Sequence, residues 1–283
     1  MDSLTKKIRE IASNILKEGK VEMVIGFTQG TIPMTSKPYM ARTPEQTENF
    51  IWDRHCTLNL ANYITGRKEK IGIIAKGCDS RNIVNHIVEN KISRDQLYII
   101  GVPCTGMADK HNPDELRDNC ATCTHRNPVI FDIMAAEPVE EQKLDDPFAD
   151  VKAIEAMDKD AKWGHFQDLL SNCVRCYACR NACPLCYCPT CFVDESAPQW
   201  VGKGQNKTDI QTFHFLRAFH CAGRCTDCGA CEAACPMDIH VRAFTRKLNK
   251  DALDLFGWEA GLDMTKRPPL DTFNPDDPND FIK

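Results

Sequence analysis

Two copies of one cysteine pattern constrain this chain more than any other feature of its sequence. Each copy reads C-x2-C-x2-C-x3-C-P, from Cys173 to Pro184 and again from Cys225 to Pro236. In such a run the first three thiolates can bind one face of a 4Fe-4S cubane, while the fourth points towards a second cluster. The sequence therefore predicts two clusters with exchanged fourth ligands. The predicted sets are Cys173, Cys176, Cys179 and Cys235 for one cluster, and Cys225, Cys228, Cys231 and Cys183 for the other.

A pair of structural zinc sites is the competing interpretation of these runs. Zinc held by four cysteines also uses paired C-x2-C turns. It has no use, however, for a third cysteine at the same spacing and a fourth before proline. The spacing therefore favours iron-sulfur clusters.

The cysteine content also indicates a compartment. The chain has 17 cysteines in 283 residues, and its N-terminus is charged and amphipathic rather than signal-like. We expect a reducing cytoplasm, where thiols bind metals instead of forming disulfides. No apolar run approaches the roughly 20 residues that a membrane-spanning helix needs. The formal net charge of -5 argues against a nucleic-acid partner.

The first half of the chain alternates helical and strand patterns. Apolar residues at helical spacing from Leu4 predict a first helix, and Val21 to Phe27 reads as a buried strand. A loop with Pro33 and Pro38 is expected next. A helix that Thr43 caps and Gly66 ends should follow this loop.

A β-α-β unit comes after this helix. Ile71 to Ala75 is a strand, the following residues form a turn and a helix, and Leu97 to Gly101 is a second strand. Such units form parallel sheets, whose functional loops lie beyond the carboxyl ends of the strands. We therefore expect residues 1–150 to form an α/β domain with a mainly parallel sheet.

Four cysteines come to that edge of the predicted sheet. Cys78 and Cys104 follow the two strands, and Cys120 and Cys123 come shortly afterwards as a C-x2-C pair. Together they can bind a third 4Fe-4S cluster. The alternatives are a redox-active dithiol for the pair, and core packing for the other two. Cys56, expected in the middle of the preceding helix, is a spare thiol that can replace one of the four.

Four further cysteines belong neither to the two runs nor to this group. They are Cys186, Cys188, Cys191 and Cys221. Crossed clusters would draw their two segments together, which predicts an additional metal site, either a fourth Fe-S cluster or a structural zinc. Thiolates alone do not choose between these metals. The alternative is a loop of reduced cysteines, since C-x-C is a cramped spacing for two ligands of one metal.

Helical patterns surround both cysteine runs in the second half. Residues 151–260 are predicted to form a mostly α-helical, ferredoxin-like domain with two clusters. An acidic linker from about Glu137 to Ala161 should join it to the first domain. A last helix follows Cys235 and should end at Gly257. The proline-rich residues 261–283 are expected to be an extended tail laid on a neighbouring surface.

These motifs resemble two known families. The two runs, with FHFLRAFHCAGRCTDCGACEAACP leading into the second, resemble the α-helical ferredoxin domains of heterodisulfide reductase and succinate dehydrogenase subunits over residues 163–257. KGCDSRNIVNHI, IIGVPC and the later C-x2-C pair resemble the beta subunit family of deazaflavin-dependent hydrogenases and formate dehydrogenases over residues 21–128. The second resemblance implies FAD, an iron-sulfur cluster and electron exchange with the deazaflavin coenzyme.

A bound flavin would have to use the turns at the strand ends, because the chain has no G-x-G-x-x-G pattern. Backbone amides at the start of the helix after β-strand Ile71 to Ala75 can hold a phosphate. The candidate flavin-binding residues are Lys76, Gly77, Ser80 and Arg81. The alternative for these residues is helix capping and a surface charge.

The resemblances imply an electron-transfer subunit of a cytoplasmic, multisubunit anaerobic oxidoreductase, such as a hydrogenase, a formate dehydrogenase or a heterodisulfide-reductase-like complex. Its clusters would relay electrons between a flavin or metal centre of a partner and ferredoxin. No residue set resembles a nucleophile with its base or paired catalytic carboxylates, which favours relay over chemistry within the chain. The alternatives are a flavoenzyme with its own FAD and a structural zinc adaptor.

Overall fold

The first half of the protein is an α/β unit built on a five-stranded sheet. The computed structural model describes residues 3–271. The strands are Met23–Gln29 (β1), Ser36–Ala41 (β2), Ile71–Ala75 (β3), Leu97–Gly101 (β4) and Ile133–Met134 (β5). Their order is β2-β1-β3-β4-β5, with β2 antiparallel at one edge and the other neighbours parallel. The predicted α/β class with a mainly parallel sheet is confirmed.

The core of this half is formed by apolar side chains of the strands and of one helix that packs on the sheet. All five residues of β3 are buried, because helices or loops cover both faces of the central strands. Helix α1 (Ser3–Lys17) packs Ile8, Ile11 and Ile15 into the same core. Gly72 allows this helix to come close, since a Cβ there would lie 3.0 Å from Ile15 Cδ1. The packing fixes where the carboxyl ends of β3 and β4 emerge.

The remaining helices lie mostly in the second half. They are Gly77–Val88 (α2), Asp118–Ala121 (α3), Ala149–Glu155 (α4), Lys159–Leu169 (α5), Ala178–Asn181 (α6), Lys207–His220 (α7), Ala230–Ala233 (α8) and Arg242–Phe256 (α9). Leu170, Phe213 and Val241 belong to the separate small core of this half. As predicted, α9 ends at Gly257, which has a left-handed φ of 58°.

The prediction of a helix between Thr43 and Gly66 is wrong. That segment instead contains two short 3-10 turns, Glu45–Asn49 and Leu60–Tyr63. Between them the backbone is extended at Phe50 and its neighbour pairs with β1, with Ile51 N donating to Phe27 O at 2.9 Å. Pairing with the sheet thus overrides the helical spacing of the apolar residues.

The loop expected with Pro33 and Pro38 is confirmed only in part, because Pro33 lies in the turn between β1 and β2 whereas Pro38 lies within β2. Strand β2 is the edge strand of the sheet. Proline is tolerated at an edge, where its missing N–H need not pair with another strand. A proline therefore did not exclude a strand here.

The predicted linker over residues 137–161 contains structure of its own. Helix α4 lies within it and packs on α9, where Asp150 accepts hydrogen bonds from Arg246 Nε and Nη2 at 2.7 Å each. The residues before α4 have neither helix nor strand, but Asn127 Nδ2 donates to Glu141 Oε1 at 2.8 Å. These contacts dock the acidic segment on both halves.

A polar face of α2 joins the two halves. Asn82 Nδ2 donates to Thr226 Oγ1 at 2.7 Å. Asn85 Nδ2 donates to Arg224 O at the same distance. One turn later Glu89 forms an ion pair with Arg224, with Nη2 2.8 Å from Oε2. The second cysteine run is therefore held directly against the helix that follows β3.

The predicted tail is described only in part. Over residues 261–271 one anchor is Arg267, whose Nη1 donates to Val88 O at 2.8 Å. Residues 272–283 lie outside the described residues. None of the helices described for residues 3–271 has the length and hydrophobicity needed to cross a bilayer.

A buried ion pair fixes the turn between β3 and α2. Lys76 Nζ lies 2.9 Å from Asp79 Oδ2, and both side chains are almost fully buried. Asp79 also accepts the backbone N–H of Leu60 at 2.8 Å and that of Lys76 at 2.9 Å. Burial lowers the pKa of Lys76, but the Asp79 carboxylate raises it above its ordinary value, so the lysine stays charged.

Replacing Asp79 with Ala should lower the free energy of unfolding by about 3–5 kcal/mol, because it leaves a buried lysine charge and two buried N–H groups without their partner. Urea unfolding followed by circular dichroism measures this loss. Glu10→Ala is the matched control, since Glu10 pairs with Lys7 on the exposed face of α1 and should cost less than about 1 kcal/mol. Equal losses in the two variants would show that the buried pair does not stabilise the fold.

Candidate metal centres

The two cysteine runs form two loops of the same backbone conformation. In the first run Arg175 and Tyr177 have positive φ values of 52° and 61°, and in the second Asp227 and Gly229 have 56° and 70°. Each loop continues into a four-residue helix at the same offset, α6 in one run and α8 in the other. Non-glycine residues seldom adopt this conformation, so its repetition at matching positions indicates that both runs present their first three thiols in the same way.

The fourth cysteine of each run lies with the first three of the other run. Burial raises the pKa of Cys173 and Cys179, and the nearby Cys235 raises both further. In the same way burial raises the pKa of Cys231, and Cys183 raises it further. The structure thus brings together both predicted groups. We call Cys173, Cys176, Cys179 and Cys235 the first-run set, and Cys225, Cys228, Cys231 and Cys183 the second-run set.

A small cavity lies at the second-run set. Its lining includes all four thiols of the set, together with Cys221 and Arg217. Among residues 3–271, no three His, Cys, Asp or Glu side chains are arranged to hold a single metal ion. A cubane has a different requirement, because its own iron and sulfide atoms separate the sulfurs that bind it. A space enclosed by four thiols fits such a group.

Two buried arginines have nitrogens without hydrogen-bond partners within the described chain; Arg175 lies near the first-run set, and Arg217 lies near thiols of both sets. Arg217 Nη2 donates to Cys179 O at 3.1 Å, but its Nε is unpartnered. Arg175 Nη1 donates to Gly204 O at 2.7 Å, but its Nε and Nη2 are unpartnered. Burial lowers the pKa of Arg217, whereas the surrounding thiols raise it well above its ordinary value. Buried cationic nitrogens of this kind fit an anionic cluster held by thiolates.

Hydrogen bonds to sulfur complete the first-run set. His214 Nε2 lies 3.3 Å from Cys173 Sγ, and Arg175 N donates to the same sulfur at 3.4 Å. Ile239 N donates to Cys235 Sγ at 3.4 Å. Burial lowers the pKa of His214 to about 4, so its ring is neutral. Sequence reasoning missed His214, because nothing in the spacing of α7 distinguishes it from other residues of the helix.

Cys78, Cys104, Cys120 and Cys123, which we call the N-terminal set, line one larger cavity at the carboxyl edge of the sheet. Two backbone amides point at their sulfurs, with Gly106 N donating to Cys104 Sγ at 3.4 Å and Met107 N to Cys120 Sγ at 3.3 Å. Burial raises the pKa of Cys104 to about 11. The four thiols predicted to bind a third cluster are therefore brought to one place.

Cys56 does not lie in the middle of a helix as expected. It follows a turn, and its sulfur lies in the apolar core 3.7 Å from Asp53 Oδ1. Burial raises the pKa of its thiol to about 12. These surroundings are those of a core cysteine.

The candidate flavin-binding residues are already engaged within the chain. Ser80 Oγ donates to Gly77 O at 2.8 Å and accepts from Val129 N at 2.9 Å. Arg81 is buried rather than on the surface, and its Nη2 donates to Ala260 O at 2.7 Å. Lys76, described above, pairs with an aspartate. Lys76, Gly77 and Arg81 line the larger cavity. The contacts of Lys76 with Asp79 and of Arg81 with Ala260 favour a structural role for these side chains.

Only some of the four remaining cysteines lie close to one another. Cys186 and Cys221 lie within hydrogen-bonding reach of Cys183, which belongs to the second-run set. Cys191 lies near Cys186, whereas Cys188 is exposed. The metal site expected from Cys186, Cys188, Cys191 and Cys221 stays a prediction.

Comparison with known proteins gives partial matches. No model of a known protein family matches the chain. The chain is 33% identical over 109 residues to the F420-dependent formate dehydrogenase subunit beta of Methanocaldococcus jannaschii, a match covering 38% of this chain and 27% of that protein. It is 26% identical over 100 residues to the F420-dependent formate dehydrogenase 1 subunit beta of Methanococcus maripaludis, covering 35% and 25%.

A chain of the F420-reducing NiFe hydrogenase complex from Methanosarcina barkeri aligns with a TM-score of 0.29 and 18% identity, over 38% of this chain and 42% of that chain. The protein spans about a quarter of the length of the two formate dehydrogenase subunits. The predicted resemblance to beta subunits of formate dehydrogenases is confirmed for about a third of the chain.

Replacing Cys235 with Ala should remove the cluster of the first-run set and spare that of the second-run set, because the Cys235 thiol lies with the first-run thiols. The expected loss is about four iron atoms per chain. Iron and sulfide analysis of the anaerobically purified protein, together with its EPR spectrum, measures this. Cys183→Ala is the matched control and should have the reciprocal effect. Loss of the second-run signal in Cys235→Ala would contradict the crossing.

Proposed function

We propose that this chain is an iron-sulfur electron-transfer subunit of a multisubunit oxidoreductase. The observation that carries the proposal is the crossed arrangement of the two runs, in which two loops of the same backbone conformation each receive the fourth thiol of the other. Eight thiols grouped in this way suit a pair of 4Fe-4S clusters. The similarity to beta subunits of formate dehydrogenases supports a place in a redox complex.

The residues around the thiols would adapt them to this task. Clusters bound there would supply single-electron transfer. The buried Arg175 and Arg217 offset the negative charge of the thiolates. The hydrogen bonds from Arg175 N and Ile239 N withdraw charge from two of the sulfurs, which is one way in which a protein raises a cluster potential. The neutral His214 ring adds a polar contact without adding charge.

Partners and compartment follow from the same features. All 17 cysteines are free thiols, which suits a reducing cytoplasm. The chain would work beside a flavoprotein or a hydrogenase or dehydrogenase subunit, in a formate dehydrogenase, hydrogenase or heterodisulfide-reductase-like complex, with ferredoxin as a further partner. Electrons would pass between the flavin or metal centre of that partner and ferredoxin.

A third cluster is proposed at the N-terminal set. Four thiols, two sulfur-directed amides and a cavity support it. A fourth metal, as a cluster or a zinc, is proposed at Cys186, Cys188, Cys191 and Cys221. Cys183 of the second-run set contacts Cys186 and Cys221, so this site would adjoin the second-run set.

The alternative function is a subunit with its own FAD. The larger cavity favours it, because Lys76, Gly77 and Arg81 line this space. Against it stand the contacts that already engage Lys76 and Arg81. The third candidate function is a structural zinc adaptor, in which the same thiols would bind zinc instead of iron-sulfur clusters.

Metal and flavin analysis of the full chain after anaerobic purification separates these functions. About eight iron atoms per chain indicate the two crossed clusters, about twelve add the N-terminal set, and about sixteen, or one zinc, add the fourth site. Broad visible absorbance without flavin fluorescence after denaturation is the expected result. Flavin fluorescence would favour the FAD-containing subunit, and a colourless protein with zinc alone would refute the proposal.

A separate cysteine substitution tests the proposed third cluster. Cys120→Ala should lower the iron content by about four atoms per chain, because its thiol belongs to the N-terminal set. Cys56→Ala is the matched control, since it removes a buried thiol of the same domain that lies in the apolar core, and it should leave the iron content unchanged. Equal iron in both variants would refute the N-terminal cluster. Identification of the subunits that copurify tests the proposed partners.

A further inference from the structure

Two of the three thiol sets share one cavity. Its lining includes all four cysteines of the N-terminal set, together with Cys225 and Cys228 of the second-run set. Cys78 of the N-terminal set and Cys228 of the second-run set both line this space. The N-terminal set therefore adjoins the second-run set directly, although Cys123 and Cys225 are about a hundred residues apart in the sequence.

One buried amide side chain spans the boundary between these sets. Asn119, which precedes Cys120, donates from Nδ2 to Cys228 O at 3.1 Å. Its Oδ1 accepts from Arg117 Nε at 3.3 Å. Arg117 also reaches across, with Nη2 donating to Gly229 O at 3.1 Å. Both residues hold the backbone of the second run against the segment that carries the N-terminal C-x2-C pair.

Gly229 makes room for this contact. A Cβ at Gly229 would lie 2.5 Å from Asn119 Oδ1 and 2.8 Å from its Nδ2. The positive φ of 70° does not by itself demand glycine, because Tyr177 occupies the equivalent position of the first run with a φ of 61°. The second run therefore has glycine at this position because Asn119 approaches it closely.

We infer that Asn119 and Arg117 are positioning residues that dock the N-terminal set on the second-run set, so that the three metal centres form a series in the order N-terminal, second-run, first-run. This inference rests on the proposed function. The crossing of Cys183 and Cys235 joins the second-run and first-run sets, and Asn119 joins the second-run and N-terminal sets. The first-run set is the opposite end of the series, where Cys176 is exposed.

The test uses EPR spectroscopy of the full chain, reduced under anaerobic conditions. Neighbouring paramagnetic clusters split or broaden one another's signals, and this dipolar effect falls with the cube of their separation. In the wild-type protein the signal of the second-run centre should show splitting from the N-terminal centre. Cys120→Ala, which removes the N-terminal centre, should sharpen the second-run signal and leave the first-run signal unchanged.

Asn119→Ala should retain the iron content of the wild-type protein and reduce the splitting between the N-terminal and second-run signals. Gly229→Ala should have the same effect, because the added Cβ displaces Asn119. This variant provides the test if Asn119→Ala does not fold. Asn62→Ala is the matched control. Asn62 also donates from its side-chain amide to a backbone carbonyl of a run, Asn181 O at 2.9 Å, but it lies at the first run and should leave this splitting unchanged.

Two results would overturn the inference. One is wild-type splitting in Asn119→Ala and Gly229→Ala with normal iron content. The other is a Cys120→Ala variant that sharpens the first-run signal and leaves the second-run signal as it was. A wild-type protein that contains no iron would instead refute the proposed function, so the two failures are distinguishable.

Discussion

The grouping of eight thiols between two crossed loops is the constraint on which the rest of the helical half depends. Thiols that bind a metal are anionic, and burying anions is costly unless cations or hydrogen-bond donors surround them. The chain meets this requirement with Arg175 and Arg217, which are buried, and with backbone amides directed at sulfur. Arg242 is also buried near Cys231, but its charge is already balanced by Asp227, whose Oδ1 lies 2.7 Å from the Arg242 Nε, and by Glu232. Charge balance thus determines which polar residues this small core contains.

The prediction from sequence succeeded where the signal was local. The strands Ile71–Ala75 and Leu97–Gly101 have the predicted bounds, because each is a short apolar run beside a turn. The cysteine spacing grouped Cys235 with Cys179 and Cys183 with Cys231, which lie near one another in the structure, while metal binding by these thiols stays a prediction. It failed between Thr43 and Gly66, where pairing of Ile51 with β1 is a contact between segments that helical spacing cannot reveal. It could not have found His214, whose role depends on the distance to a sulfur about forty residues away in the sequence.

Helix α2 shows why the relation between the two halves was not predictable. Its sequence contains Asn82, Asn85, His86 and Glu89, which would ordinarily mark a solvent-exposed face. In the structure His86 is fully buried, with Nε2 2.7 Å from Pro184 O at the end of the first run. Hydrogen bonds from Asn82, Asn85 and His86 across this face make it a suitable interface between the two units, because separating the units would leave those buried groups unpaired. Asn85 and His86 pair with backbone carbonyls, which leave no trace in the amino-acid sequence, and the side-chain partners Thr226 and Arg224 lie more than 130 residues away along the chain.

The internal repeat carries one asymmetry that follows from this interface. Tyr177 of the first run packs its ring against Phe213, with centroids 5.2 Å apart, and lies under the guanidinium of Arg180 at 4.6 Å. Gly229 at the matching position of the second run presents no side chain, and Asn119 of the other half fills the space. At this position the loop therefore faces the helical core in the first run and the α/β unit in the second. Because the two backbones are alike at this position, the difference between tyrosine and glycine reflects these surroundings: an aromatic ring fits against Phe213, and only glycine leaves room for Asn119.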